Sequence, residues 1–366
     1  MRELGELGAV LGSEDRQRVR EAEAALCERF SRLRSRELVQ LAARARNGLS
    51  APLVKFEIVT HPLPADWVES NAALVPAALA CLASIHRNGY YREAGTRFLA
   101  LRTGVDDGLS LRFLLLRIDD TIESTRRLAE GAIERHLLPA AAPEFARALP
   151  IIEALRGRRR GSGGPIVRAI DDLLLASSSA LRAVLTDPDP LHRLAAYRLL
   201  VRAESPCHVL SDALGDRDQR IRAWAARQAT SGRTDDADKL VLLPLLAAQG
   251  SPSVRSLALR VRAKLDADDA PLLRGLVDPR TSVRYAARVL LRERHPERDF
   301  DAARRAALDV LERADASIDE VVGALGALAD VGSAADADRT RSFADHASAR
   351  VRAEALRADK LLRGSG

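Results

Sequence analysis

An apolar residue followed by Arg recurs along this chain at nearly constant spacing, and that recurrence limits the fold more than any other feature. The clearest segments are LRAVLTDPDPLHRLAAYRLL at 181–200, LSDALGDRDQRIRAWAARQA at 210–229, LLAAQGSPSVRSLALRVRAKL at 245–265 and LLRGLVDPRTSVRYAARVLLRER at 272–294. Each reads as a Leu-rich helix, a break of Asp, Pro, Gly or Ser, and a second helix that opens on the apolar–Arg pair. The anchors Arg193, Arg222, Arg255 and Arg284 lie 29, 33 and 29 residues apart. Arg352 continues the series 68 residues after Arg284, across a degenerate unit with Ile318 and Asp319 at the anchor positions. Toward the N-terminus stand Arg92 and, 34 residues on, Arg126; a unit stretched by an insertion then carries Arg168 as a weaker anchor. Periods of this length mark units that bury their apolar faces only by stacking on one another.

With the anchor Arg as position 0, positions −1, +3 and +7 form one stripe at helical spacing, as in Ile221, Ala225 and Ala229 or Val283, Ala287 and Leu291. Small residues at +3 let neighbouring helices approach closely. Pro190 and Pro252 fall at helix N1 positions behind Asp189 and Ser251 as N-caps. At ~100° per residue, +5 points away from the stripe. Arg97, Arg198, Arg227, Arg260 and Arg357 stand there. They make a basic rail suited to phosphates or acidic peptide segments.

Composition agrees. Apolar residues make up 47% of 366 residues and aromatics 4%, which excludes disorder and leaves too few aromatic and β-branched residues for a sandwich or barrel. Of 57 basic residues four are Lys, so 53 are Arg. A GC-rich genome produces such an excess by itself, and +6 over this length is a weak field. Cys27, Cys81 and Cys207 are odd in number and far apart, which fits a reducing cytoplasm and no zinc spacing. The N-terminus lacks a signal-peptide pattern, and the apolar run 73–85 is too short for a membrane span.

The repeated unit resembles the HEAT repeat, in its bacterial form with an Asp in the turn and Val-Arg opening the second helix. The match runs over roughly residues 87–362. It implies an all-α, HEAT-like α-α solenoid, a superhelical stack of antiparallel helix pairs, whose second helices line a concave face. The turn Asp recurs at Asp120, Asp187, Asp216 and Asp278; the resemblance implies that these residues and the anchor arginines form a structural ladder. Residues 1–86 read as an N-terminal helical cap or diverged repeats, and 87–366 as the array with an inserted loop near 157–165. Residues 13–47 read as one amphipathic helix or two, with Leu26, Phe30, Leu33, Leu38 and Leu41 on the apolar side.

Function is less constrained, because such arrays serve as scaffolds, transport receptors, lyases and DNA glycosylases. None of the seven histidines is followed by Glu, and none forms an i, i+4 pair, which argues against a metal cofactor. Adjacent Cys207 and His208 diverge on a helix and do not make a nucleophile–base pair. No Walker, dinucleotide or G-x-S-x-G motif is present. The expected role is a non-enzymatic scaffold or adaptor, without cofactor, holding a protein or acidic peptide on the concave face. Binding candidates are Arg97, Arg198, Arg227, Arg260, Arg357, Trp224 and Tyr285, with Arg158, Arg159 and Arg160 as a polyanion-contact loop. The alternative is a nucleic-acid-binding, glycosylase-like protein, in which Trp224, Tyr285 and Asp319 would surround an extruded base.

Overall fold

The computed structural model describes residues 15–48, 75–102, 108–156, 164–296 and 301–364. These residues form 21 α-helices and two 3-10 turns, with no strand among them. They divide into two compact units, 1–204 and 205–366. The expected boundary at 86/87 falls inside the first.

The first unit begins with α1 (Arg16–Arg32) and α2 (Ser35–Gly48), so the N-terminal amphipathic segment is two helices. Asp15 caps α1, and Leu26, Phe30 and Leu38 are fully buried. There follow α3 (Ala77–Ser84), α4 (Gly89–Ala100), α5 (Leu109–Arg117), α6 (Glu123–His136), α7 (Ala142–Arg147), α8 (Leu149–Arg156), α9 (Pro165–Leu175), α10 (Ser178–Val184) and α11 (Pro190–Ala203). Helices pair as neighbours: α3 with α4, α5 with α6, α7 with α9 and α10 with α11. The second helices α4, α6, α9 and α11 also pack on one another in chain order. The stretched unit is thereby explained. Arg168 lies on α9, and α8 is the additional helix, packed against α2, α5 and α11. The N-terminal pair is tied in by the edge-to-face contact of Phe30 with Phe113, centroids 5.2 Å apart. Glu23 adds to this by accepting the Ala77 N–H at the start of α3.

The second unit repeats the pairing with α12 (Pro206–Leu214) and α13 (Gln219–Ala229), α14 (Asp236–Ala247) and α15 (Pro252–Leu265), α16 (Ala270–Gly275) and α17 (Thr281–Arg294), α18 (Asp301–Glu312) and α19 (Ile318–Val331), and α20 (Ala337–Arg341) and α21 (Ala349–Gly364). Position +3 shows why the helices fit so closely. Gly95, Ala129, Ala196, Ala225, Ala258, Ala287 and Ala355 occupy it, and all are buried. At Gly95 a Cβ would stand 2.4 Å from the Ser84 nitrogen of α3. Pro190 and Pro252 open α11 and α15 as expected; Asp189 accepts the Leu191 N–H, whereas the Ser251 hydroxyl turns to Ser253.

The anchor arginines share one geometry. Arg92, Arg126, Arg193, Arg222, Arg255, Arg284 and Arg352 each donate Nη1 to the carbonyl six residues earlier, at 2.7–3.1 Å. The turn Asp accepts the N–H two residues on at Asp120, Asp187, Asp216 and Asp278. Rungs run from an anchor to the next turn at Arg92, which bonds both oxygens of Asp120, and at Arg255, which bonds both oxygens of Asp278. The degenerate unit inverts the charges. Arg313 stands at the Asp position and Asp319 at the Arg position, so Arg284 turns instead to Asp330 at 2.9 Å.

Histidine replaces the turn Asp in two units. His86 and His346 each accept the N–H two residues on through Nδ1, at 3.0 Å. That bond needs an unprotonated Nδ1, and burial, with Arg87 and Arg92 nearby, lowers the His86 pKa below 6.5. A lowered folded-state pKa means stability present above about 6.5 and lost as pH falls through the folded value. Protection of the α3–α4 amides, taken relative to intrinsic exchange at each pH, is therefore expected to fall as pH drops below about 6.5, and His86→Asp should remove this dependence. Equal pH dependence in that variant would count against the assignment.

Candidate binding surfaces on the second helices

A second helix is covered on three sides. Its −1, +3, +7 stripe meets its own first helix, and its flanks meet neighbouring elements, which leaves an outward strip around +1 and +5, itself covered at Glu93. Trp224 shows the consequence. At +2 it lies on a flank and is 8% exposed, which corrects its expected place on a binding face. Tyr285, at +1, is 61% exposed and does stand outward.

The five +5 arginines fare differently. Arg97 is half-buried and bonds Glu93 at 2.8 Å, and Glu93 also accepts the Ser124 hydroxyl. Arg198 reaches Glu153 on α8 at 3.1 Å. It joins a network in which Asp171 is held by Arg156 and Arg202. Burial raises the Asp171 pKa against the opposing charges of Arg156 and Arg202. Arg357 pairs with Glu354 on its own helix. Arg227 and Arg260 are exposed, and among the described residues neither pairs with a carboxylate. The rail expected from spacing therefore reduces to two open guanidinium groups, both in the second unit. Arg158, Arg159 and Arg160 lie outside the described residues.

Two grooves follow the outward strip. In the first unit Arg97 and Ala100 of α4 face Ser124, Arg127, Gly131 and Arg135 of α6 across about 560 Å³. Arg127 pairs with Glu123 there, and Arg135 is exposed. In the second unit Tyr285, Arg288, Val289 and Arg292 of α17 border a groove of about 310 Å³ with Asp330 and Val331 of α19. Arg288 bonds Asp330 at 3.0 Å.

The proposed glycosylase trio does not come together in a site the structure supports. Trp224 is buried, Tyr285 borders its groove, and Asp319 is exposed and paired with Arg350 at 2.7 Å. Cys207 is half-buried, and burial followed by the charge of Asp238 raises its pKa, the reverse of nucleophile activation. Among the described residues no group of three His, Cys, Asp or Glu side chains is arranged to hold a metal, and no helix is long and apolar enough to cross a membrane.

Two features have no repeat signal. Leu240, Val241 and Leu245 on α14 are exposed beside Pro244, giving that first helix an apolar outer strip. The other is a polar groove in the first unit, about 310 Å³, where the α1–α2 corner meets α5, α7 and the turn before α11. It contains Arg34, Arg112, Glu144, Arg147, Asp187 and His192.

No family model matches the chain. No curated protein matches it either. Among solved structures it is similar to an engineered protein known from a crystal structure, at 16% identity over 99% of both chains with a TM-score of 0.28. A superposition that loose carries no argument about fold or function.

Proposed function

We propose that this chain is a HEAT-type repeat scaffold that holds an acidic peptide segment of a protein partner along the outward strip of its second helices. The observation that carries this reading is the pair of open arginines, Arg227 and Arg260, at equivalent positions of α13 and α15. The grooves beside other second helices support it, since both combine guanidinium groups with small or aromatic side chains. Shallow, polar, elongated surfaces suit several weak contacts better than one deep catalytic pocket. A peptide is favoured over nucleic acid because Trp224 is buried, which leaves little aromatic surface for stacking bases.

The test is fluorescence anisotropy with a labelled oligoglutamate peptide and, separately, a labelled duplex oligonucleotide, each titrated at several salt concentrations. Peptide binding is expected at low salt, and Arg227→Glu with Arg260→Glu should weaken it about tenfold, consistent with two exposed charges each reversed in sign. Binding unchanged in the double variant, or confined to the oligonucleotide with a steep salt slope, would overturn the reading.

A further inference from the structure

We infer that the polar groove of the first unit is a binding site for an oxyanion, the phosphate or carboxylate group of a small ligand, with Arg34, Arg112 and Arg147 as its receptors. The inference rests on how the charges in that groove are committed. Among the described residues no carboxylate there pairs with Arg34, Arg112 or Arg147, and each has other partners. Glu144 Oε2 lies 2.8 Å from His136 Nε2. Asp187 bonds His192 Nδ1 at 2.9 Å and accepts the Asp189 N–H at 2.7 Å. Asp189 caps α11 through the Leu191 N–H. His192 is fixed from its other side, with Nε2 2.8 Å from the Ala146 carbonyl.

Arg32, also in the groove, is committed to Glu28, whereas the guanidinium groups of Arg34, Arg112 and Arg147 make no ion pair among the described residues. Arg112 donates Nη1 and Nη2 to the carbonyls of Phe30 and Leu33 at the end of α1, which orients the guanidinium without neutralising it. Arg34 and Arg147 are exposed, and among the described residues neither guanidinium pairs with a carboxylate, although the Arg34 backbone N–H donates to Glu37. Burial depresses the Arg112 pKa, the Cys81 thiol opposes this, and the charge of Arg147 depresses it further, so the two guanidinium groups repel across the groove. An anion between them would relieve that repulsion and accept several charge-assisted hydrogen bonds. A volume of about 310 Å³ admits a phosphorylated or polycarboxylate molecule of modest size.

The experiment titrates the full chain with inorganic phosphate, O-phosphoserine and citrate, followed by calorimetry and by thermal shift. Saturable binding of at least one of the three is expected, and which one binds identifies phosphate or carboxylate as the source. Arg147→Glu should weaken binding at least tenfold and Arg34→Ala several-fold. Arg135→Glu, an exposed arginine in the other groove of the same unit, should leave it unchanged. Arg34→Ala provides the reading if Arg147→Glu does not fold. Absence of saturable binding by all three ligands, or equal loss in the Arg135 and Arg147 variants, would overturn the site. Neither result bears on Arg227 and Arg260, so the peptide-binding reading stands or falls separately.

Discussion

Asp120→Ala is expected to destabilise the first unit by about 3–5 kcal/mol, the range for breaking a buried ion pair from one side. Asp120 is fully buried and accepts hydrogen bonds from Arg92 Nε and Nη2, Arg117 Nη1 and the Ile122 N–H at 2.8–3.0 Å, and from the Thr121 hydroxyl at 3.4 Å. Removing the carboxylate leaves two guanidinium groups, 6% and 1% exposed, facing an uncompensated site. Burial alone would raise the Asp120 pKa, but the Arg92 and Ile122 hydrogen bonds and the charge of Arg117 outweigh it and hold the carboxyl below its ordinary 3.8. The contribution is thus present above about 3.8 and lost as pH falls through the lower folded value, so the variant's deficit should narrow in acid. Because the chain has two units, global unfolding need not be two-state. Hydrogen exchange of α4–α6 amides reads the effect locally. A deficit under about 1 kcal/mol would show that the ladder contributes little beyond its hydrogen bonds.

The ladder was expected from the resemblance alone, whereas the anchor arginines themselves were legible in the sequence because their shared contact is local. An arginine one turn into a helix reaches the carbonyl six residues back whatever surrounds it, and seven anchors repeat that bond. The buried stripe was legible for the same reason, since +3 is Gly or Ala in the seven units whose anchor makes that bond. The flanks were not. Whether Trp224 at +2 is covered depends on a neighbouring element, and a helical wheel contains no neighbour. The +5 arginines mixed both cases: position placed them outward, but their partners decided their availability. Glu153 lies on the inserted helix α8, 45 residues before Arg198, and no spacing rule predicts it. The polar groove was least legible of all. Arg112 binds carbonyls about 80 residues earlier in the chain, and its other walls come from three further elements. The histidines at the turn position carried a signal that was missed: His86 and His346 sit six residues before an anchor, as the turn Asp does.

The degenerate unit leads to the second large effect, because two of its glycines lie at points of very close packing. Helix α19 passes so close to the Val277–Asp278 turn that a Cβ at Gly323 would lie 1.8 Å from the Val277 carbonyl oxygen. At Gly326 it would lie 2.6 Å from Arg284 Nη1, and Arg284 is 1% exposed and bonded to Asp330 and the Asp278 carbonyl. Gly→Ala within a helix normally stabilises by up to about 1 kcal/mol. Here overpacking, at about 1–3 kcal/mol and more against an immobile backbone, should win. The turn struck by Gly323→Ala is held by both hydrogen bonds of the Arg255 rung, so it cannot retreat without breaking them. Gly323→Ala is therefore expected to destabilise the second unit by about 2–3 kcal/mol, net of the helix gain. Gly326→Ala should do less, since a side chain yields more readily than backbone. Gly131 on α6 provides the opposite sign: its nearest neighbour is the end of Arg135 at 3.8 Å, so Gly131→Ala should stabilise by about 0.5–1 kcal/mol. Amide exchange in α19 and α6 measures all three variants. Stabilisation by Gly323→Ala would mean that α19 does not cross the turn at this distance, and the account of how the inverted unit packs would fail with it.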